Sequence, residues 1–446
     1  MFLAGSVGSC AASALASCAA VCACEACKCV GGSVARASAR AVYVLFFTLS
    51  VAVAWIMRDY AAPLMEKIPW IVRAAGGDAL KPSDEWLGKQ AVYRVTLGSA
   101  VFFLGMAFAT AGVSFRNDPR DRHVQHGAWG LKALAYLAAA AAPFFLPAPA
   151  VAAYAWAARG AGGVFLVLQM VILLDFAQVW NDSWANKERW EWLAGLLAVT
   201  LAAYAASVVL MALAYVYFVP AAACSLNTFF IVAATVLCVG FTAASLHPAI
   251  PTGSVFPSGV ITLYSFYLLS SALASEPASY ECNALPGGGG GGRPGGGAGL
   301  AVGMGITLLS VAYSALRAGS SDIWGGSGSE EGEDGAGAYG PVRDEELPLV
   351  GPGEVTADRH AAPAAVDDYE PVSYNYSFFH LTFALAAMYA AMLMTGWSSS
   401  ADEMQKNTVD VGWTSVWVKV CSQWFAGLLY LWTLVAPLVM PDRDFS

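Results

Sequence analysis

The sequence predicts an all-α, polytopic membrane protein of about ten transmembrane helices. Three observations carry that expectation. Apolar residues make up 58% of the 446 residues and charged residues only 12%, against about 25% charged in soluble domains. Mean hydropathy is +0.56. Runs of roughly twenty apolar residues recur along the chain, the length an α-helix needs to cross a bilayer. The net charge of −9 does not mark a basic partner, because residues 319–370 hold 13 acids and two Arg. The remainder is close to neutral and has no basic patch for nucleic acid.

Residues 1–37 form a Cys-rich N-terminal segment with Cys10, Cys18, Cys22, Cys24, Cys27 and Cys29. No basic residue precedes its apolar run, which argues against a secretory signal and against lipoprotein processing at residues 15–18. Cys24-x-x-Cys27 supplies half a zinc site, but four thiolates so close in sequence need a tight turn to share one metal. Acylation of Cys18, Cys22, Cys24, Cys27 and Cys29 at a membrane surface is the expectation. A small-residue helix with inert buried thiols stands beside it.

Spans one and two are expected at 38–57 and 91–113, separated by a polar loop, and a basic turn follows with Arg116, Arg120, Arg122 and His123. Span three, 124–146, is interrupted by Lys132 and exits through Pro143, Pro147 and Pro149. Span four, 151–180, would be about 45 Å long and must tilt. Spans five to eight fall at 190–218, 227–246, 259–274 and 298–317, and spans nine and ten at 377–397 and 413–439. Thus 38–318 carries spans one to eight, with a flexible Gly-rich loop at 286–299, and 373–446 carries the last two spans and the tail. Residues 319–372 read as an acidic, disordered cytosolic loop. An even number of spans puts both termini on one side, and the Lys/Arg distribution favours the cytosol. The membrane is an endomembrane or the plasma membrane. Cys224 and Cys282 then lie in outer loops, where a disulfide can form. The sequons at Asn181 and Asn375 face the cytosol and stay unused.

The stretch 160–192 organises the rest. Asp175 appears inside an apolar run, followed by Gln178, Trp180, Asn181, Asp182 and Trp184. At helical spacing Asp175, Gln178 and Asp182 share one face, while Trp180 and Trp184 lie one turn apart on another. A carboxylate there needs protein, water or headgroups around it. Lys132 and Asp175 read as lying at similar depth on antiparallel neighbours, so an ion pair is expected, as a structural staple or as part of a polar path. Arg94, His380 and Lys419 are expected to snorkel from span ends, and Gln169 and Gln423 to join helices. No sequence pattern for an intramembrane protease, a phosphate-cradling loop or a metal centre is found. The expectation is a protein that is not an enzyme and needs no cofactor or metal.

These residues resemble the serine incorporator family. The resemblance rests on the run from Leu173 through Asp175, Gln178, Trp180 and Asn181 to Trp184, and on Tyr93-Arg94, Trp129 with Lys132, Glu276-Pro277, Cys282-Asn283, Phe379-His380-Leu381 and Arg443-Asp444-Phe445. It extends over nearly the whole chain. Gln178 stands where the family commonly has His, which weakens any proton relay there, and the first long loop lacks the Cys residues of many relatives. The resemblance implies two helical subdomains around a long oblique helix, here span four. It implies support for serine incorporation into phosphatidylserine and sphingolipids, lipid binding, and movement of phospholipids between leaflets. Lys132, Asp175, Gln178, Trp180, Asn181 and Trp184 are the polar-path or lipid-binding candidates. Membrane lipids and lipid-synthetic enzymes are the expected partners, with self-association left open. A transporter of a small polar solute such as serine, and a scaffold recruiting lipid-synthetic enzymes, are the alternatives.

Overall fold

The computed structural model describes residues 35–74, 82–187, 189–250, 253–277, 279–284, 372, 374–397 and 411–440. Within these the regular structure is helical. Helix α1 is Ala35–Tyr60, followed by the short α2, Ala62–Met65, and α3, Pro69–Ala74. Helix α4 is Asp84–Ala109, and a π-helical turn, Asp121–Gln125, precedes α5, Trp129–Ala141, which runs into a 3-10 turn at Ala142–Phe145. Then come α6, Ala148–Ala185; α7, Trp190–Phe218; α8, Ser225–Ser245; α9, Val255–Ala274; α10, Tyr376–Thr395; and α11, Trp413–Val439. Eight of the described helices are long and apolar enough to cross a membrane, and Trp129–Phe145 is a shorter apolar helix. The expected span at 298–317 lies outside the described residues. So do the Gly-rich loop, the acidic loop and the thiols of Cys18, Cys22, Cys24, Cys27 and Cys29.

Local chemistry sets several helix ends. Ser83 caps α4 by accepting from the Trp86 amide at 3.3 Å, with Asp84 and Glu85 in the first turn facing the positive end of the helix dipole. Asn375, the second sequon Asn, caps α10 by accepting from the Phe378 amide at 3.0 Å. Gly396, at φ 63°, closes that helix in the left-handed region that glycine tolerates. Span three corrects the sequence reading. It does not run as one helix from 124, because Ala128 sits at φ 54° and the α-helix starts only at Trp129. A hydropathy window averages over such a break.

The helices form two bundles. Bundle one packs α1, α4, α5, α10 and the first half of α6 around Tyr43, Phe47, Phe103, Phe165, Phe379 and Phe383. Bundle two packs α7, α8, α9, α11 and the second half of α6 around Phe230, Phe241, Ile261, Leu269, Val420 and Tyr430. Helix α6 serves both: Val151 to Leu166 enter the first core and Met170 the second. Its 38 residues make about 57 Å of helix, nearly twice the hydrocarbon core of about 30 Å, so it must tilt or project. The handover falls at Gly162 and Gly163. A Cβ on Gly162 would lie 2.9 Å from the Trp397 ring of bundle one, and one on Gly163 would lie 3.5 Å from Val418 of α11.

Candidate functional site

The densest polar constellation lies where α1, α5 and α10 converge on the π-helical turn. A helix end leaves carbonyl groups without intrahelical donors, and the Gln125 carbonyl, at the end of this turn, accepts from two side chains. Lys132 Nζ donates to it at 2.9 Å and the Tyr43 hydroxyl at 3.2 Å. The Lys132 ammonium also lies 4.0 Å from the Trp129 ring centre and 5.3 Å from that of Tyr43, a geometry in which the ring quadrupole attracts a cation.

The Gln125 side chain extends the network. Its Nε2 donates to the Tyr374 hydroxyl at 3.0 Å, and its Oε1 lies 2.9 Å from His380 Nε2. The amide oxygen can only accept, so His380 carries its proton on Nε2, and its Nδ1 is buried without a hydrogen-bond partner. Arg40 lies over the Tyr374 ring at 3.8 Å. At the rim, Tyr376 donates to Asp121 Oδ1 at 2.6 Å, and His126 Nδ1 lies 3.1 Å from the same oxygen. Gln125 and His380 are fully buried, and Lys132 is 6% exposed. Gln125 thus links Lys132 of α5 and Tyr43 of α1 through its carbonyl, and His380 of α10 and the preceding Tyr374 through its side chain. Sequence reasoning singled out Lys132 and missed Gln125, Asp121, His126, Tyr374 and Tyr376. The available signal was Asp121 inside an Arg-rich turn and Gln125-His126 just after it.

The structure overturns the expected Lys132–Asp175 pair. Lys132 spends its donors on Gln125 and the rings, and among the described residues no ion pair joins it to Asp175. Counted from the turn at Leu146-Pro147, Lys132 lies about 21 Å back along its helix, whereas α6 carries Asp175 about 40 Å away and into bundle two. Arg94, His380 and Lys419 do not snorkel either, being 1%, 0% and 1% exposed. Arg94 folds back on its own helix and donates to the Gln90 carbonyl at 3.1 Å. Lys419 Nζ donates to the hydroxyls of Ser271 and Ser275 at 2.8 Å each.

The other predicted residues lie at the C-terminal end of α6. Trp180 meets Trp184 edge to face at 5.3 Å and Phe256 of α9 at 5.2 Å. Trp184 meets Trp192 of α7 at 5.1 Å, and Lys187 lies over Trp192 at 3.8 Å. Asn181 Oδ1 accepts from Ser254 at 2.8 Å, tying α6 to the start of α9. Gln178 and Asp182 are exposed and Asp175 is half-buried. Trp180, Trp184 and Asn181 therefore knit α6, α7 and α9 together, while Gln178 and Asp182 face outward and Asp175 keeps its Oδ2 buried. Cys224 and Cys282 are joined as a disulfide, S–S 2.05 Å, between the start of α8 and the segment after α9.

The model of the family described as serine incorporator (Serinc) matches residues 16–443. The chain belongs to the serine incorporator family. It is 31% identical over 441 residues to a probable serine incorporator of Nematostella vectensis, covering 92% of this chain and 91% of that one. It is 30% identical over 488 residues to a probable serine incorporator of Monosiga brevicollis, covering 99% and 98%. Serine incorporator 3 of Bos taurus is 31% identical over 468 residues, with 95% of each chain covered. Coverage at both ends means that this serine incorporator chain and its relatives correspond along both bundles.

Proposed function

We propose that this protein handles lipid without catalytic chemistry of its own, moving phospholipids between leaflets and thereby supporting serine incorporation into phosphatidylserine and sphingolipids. The supporting observation is the short wall at α5. Trp129 opens that helix, and at its other end the Phe144 carbonyl accepts from the indole of Trp70, itself 45% exposed, at 2.8 Å. Tryptophans favour the two interfaces of a bilayer. Here the two marks stand about 24 Å apart along the chain, against a hydrocarbon core of about 30 Å. A short wall thins the bilayer beside it and shortens the path a headgroup must take. Its outward face is Leu131, Leu134 and Leu137, 65–68% exposed. Membrane lipids are the partners this reading requires. The termini lie in the cytosol, with the Cys224–Cys282 disulfide on the opposite, oxidising side.

Purified protein in liposomes tests the reading. Fluorescent phosphatidylserine placed in both leaflets should become fully accessible to an external quencher, and labelled serine should not accumulate inside. Serine accumulation without lipid exchange would replace this reading with a solute transporter. Neither activity, with capture of lipid-synthetic enzymes, would replace it with a scaffold.

A further inference from the structure

Bundle two holds a buried acid that the proposed lipid movement does not use. Glu276 follows the end of α9, and Asn227 lies in the first turn of α8; they are 2% and 0% exposed. Asn227 Nδ2 donates to the Phe218 carbonyl at the end of α7, 2.9 Å, and to Glu276 Oε2, 3.3 Å. The opposite atoms of both groups, Glu276 Oε1 and Asn227 Oδ1, are buried with no hydrogen-bond partner. Two bare acceptors on two groups already bonded to each other lack one donor between them. An unpaired buried acceptor is costly, and a carboxyl can supply the missing donor itself by keeping its proton.

We infer that Glu276 and Asn227 form a proton-binding site, in which a neutral Glu276 donates from Oε1 to Asn227 Oδ1 and accepts from Asn227 Nδ2 on Oε2, closing an acid–amide ring that ties α7, α8 and α9 together. When the proton leaves, the O–H electron pair stays on Oε1 and the proton passes to water. The ring then faces one lone pair with another and opens. Cys224 caps the same helix as Asn227, and Cys282 follows Glu276 by six residues, so the disulfide holds the two partners in register in either state.

Among the described residues no ion pair compensates a charge on Glu276. The Lys419 ammonium of α11 is engaged by Ser271 and Ser275, and no ion pair joins it to Glu276 among the described residues. Tyr280 in the following loop is raised by burial and then by Glu276 itself. The Cys224 sulfur is in the disulfide, and the Phe218 carbonyl of α7 accepts from Asn227. Burial accordingly pushes the Glu276 carboxyl up from its usual 4.5 to about 7, with the Asn227 bond acting in the opposite direction.

A folded-state pKa above the unfolded one gives stability that is complete below about 4.5 and is lost as pH rises through about 7. Full-length protein in detergent should therefore lose roughly 300-fold in its folded-to-unfolded ratio across that window. Glu276→Gln keeps the ring, because its amide N–H replaces the O–H, and should remove this loss. Isotope-edited infrared spectra of glutamate-labelled protein should show a protonated carboxyl band below about pH 6 that disappears in Glu276→Gln. Parallel pH profiles for the parent and Glu276→Gln, or no Glu276-dependent protonated band at that pH, would each overturn the assignment.

Discussion

Bundle one holds Lys132 with a backbone carbonyl and two ring faces, and joins α1, α5 and α10 through the side chain and carbonyl of Gln125. Bundle two distributes the same task. Ser258 bonds to Tyr430 at 2.8 Å, Ser254 to Asn181, Lys419 to two serines, and a disulfide closes one end. The two also differ in what they show to lipid. In the most apolar windows of α4 and α10, 72% and 78% of residues are buried, against 17% in α7. Yet α7 is the most apolar of the eight long helices. Apolar surface facing lipid gains nothing from being buried, so the outer wall can be uniformly hydrophobic while the central helices carry the polar joints.

The concentration of polar contacts at Gln125 gives the largest expected effect. Gln125→Leu strands the His380 Nε2–H and removes one donor from the Tyr374 hydroxyl, and should cost about 3 kcal/mol, since a stranded buried group costs about 1–3 and each further lost bond about 1. Ser258→Ala in bundle two removes one hydroxyl pair among many and should cost about 1 kcal/mol. Denaturant unfolding of both variants measures the contrast, and equal losses would show that bundle one has no hub.

Helix contacts sharpen the comparison next. A Cβ at Gly98 would lie 2.3 Å from the Ala139 carbonyl oxygen, whereas one at Gly427 would lie 2.5 Å from Leu237 Cδ2. The first obstacle is backbone and can yield only by moving α5 off α4, but the second is the end of a rotatable side chain. Gly98→Ala should cost about 1–3 kcal/mol and Gly427→Ala under about 1. If the order is reversed in thermal unfolding, bundle one is the more adaptable of the two.

The smallest effect concerns coupling between the bundles. Lys132 and Asp175 share no contact, so the stability changes of Lys132→Met and Asp175→Leu should add within about 0.5 kcal/mol in the double variant. Recovery of stability in the double variant would bring the two residues back together.

Much of the fold was legible because lipid imposes a length on helices. Span positions and the exceptional length of α6 follow from the apolar runs. What failed was depth. Placing Lys132 opposite Asp175 assumed an unbroken span three and a span four ending at 180, whereas a left-handed Ala128 delays α5 and α6 continues to Ala185. The hub was illegible for a different reason. Gln125 belongs to a non-repetitive turn whose partners other than Lys132 lie 82 to 255 residues away, and no periodicity links them. The Trp180, Asn181 and Trp184 cluster was visible because all three lie within a turn or so of one helix.

The glycines at the α6 handover have a mechanical consequence. Gly162 faces the Trp397 ring of bundle one and its neighbour Gly163 faces Val418 of α11, so at this turn α6 is held on two sides with only hydrogen where a side chain would stand. Bulk added at Gly162 would press α6 away from Trp397, and bulk added at Gly163 would press it away from Val418, so two neighbouring positions on one turn push the same helix in different directions.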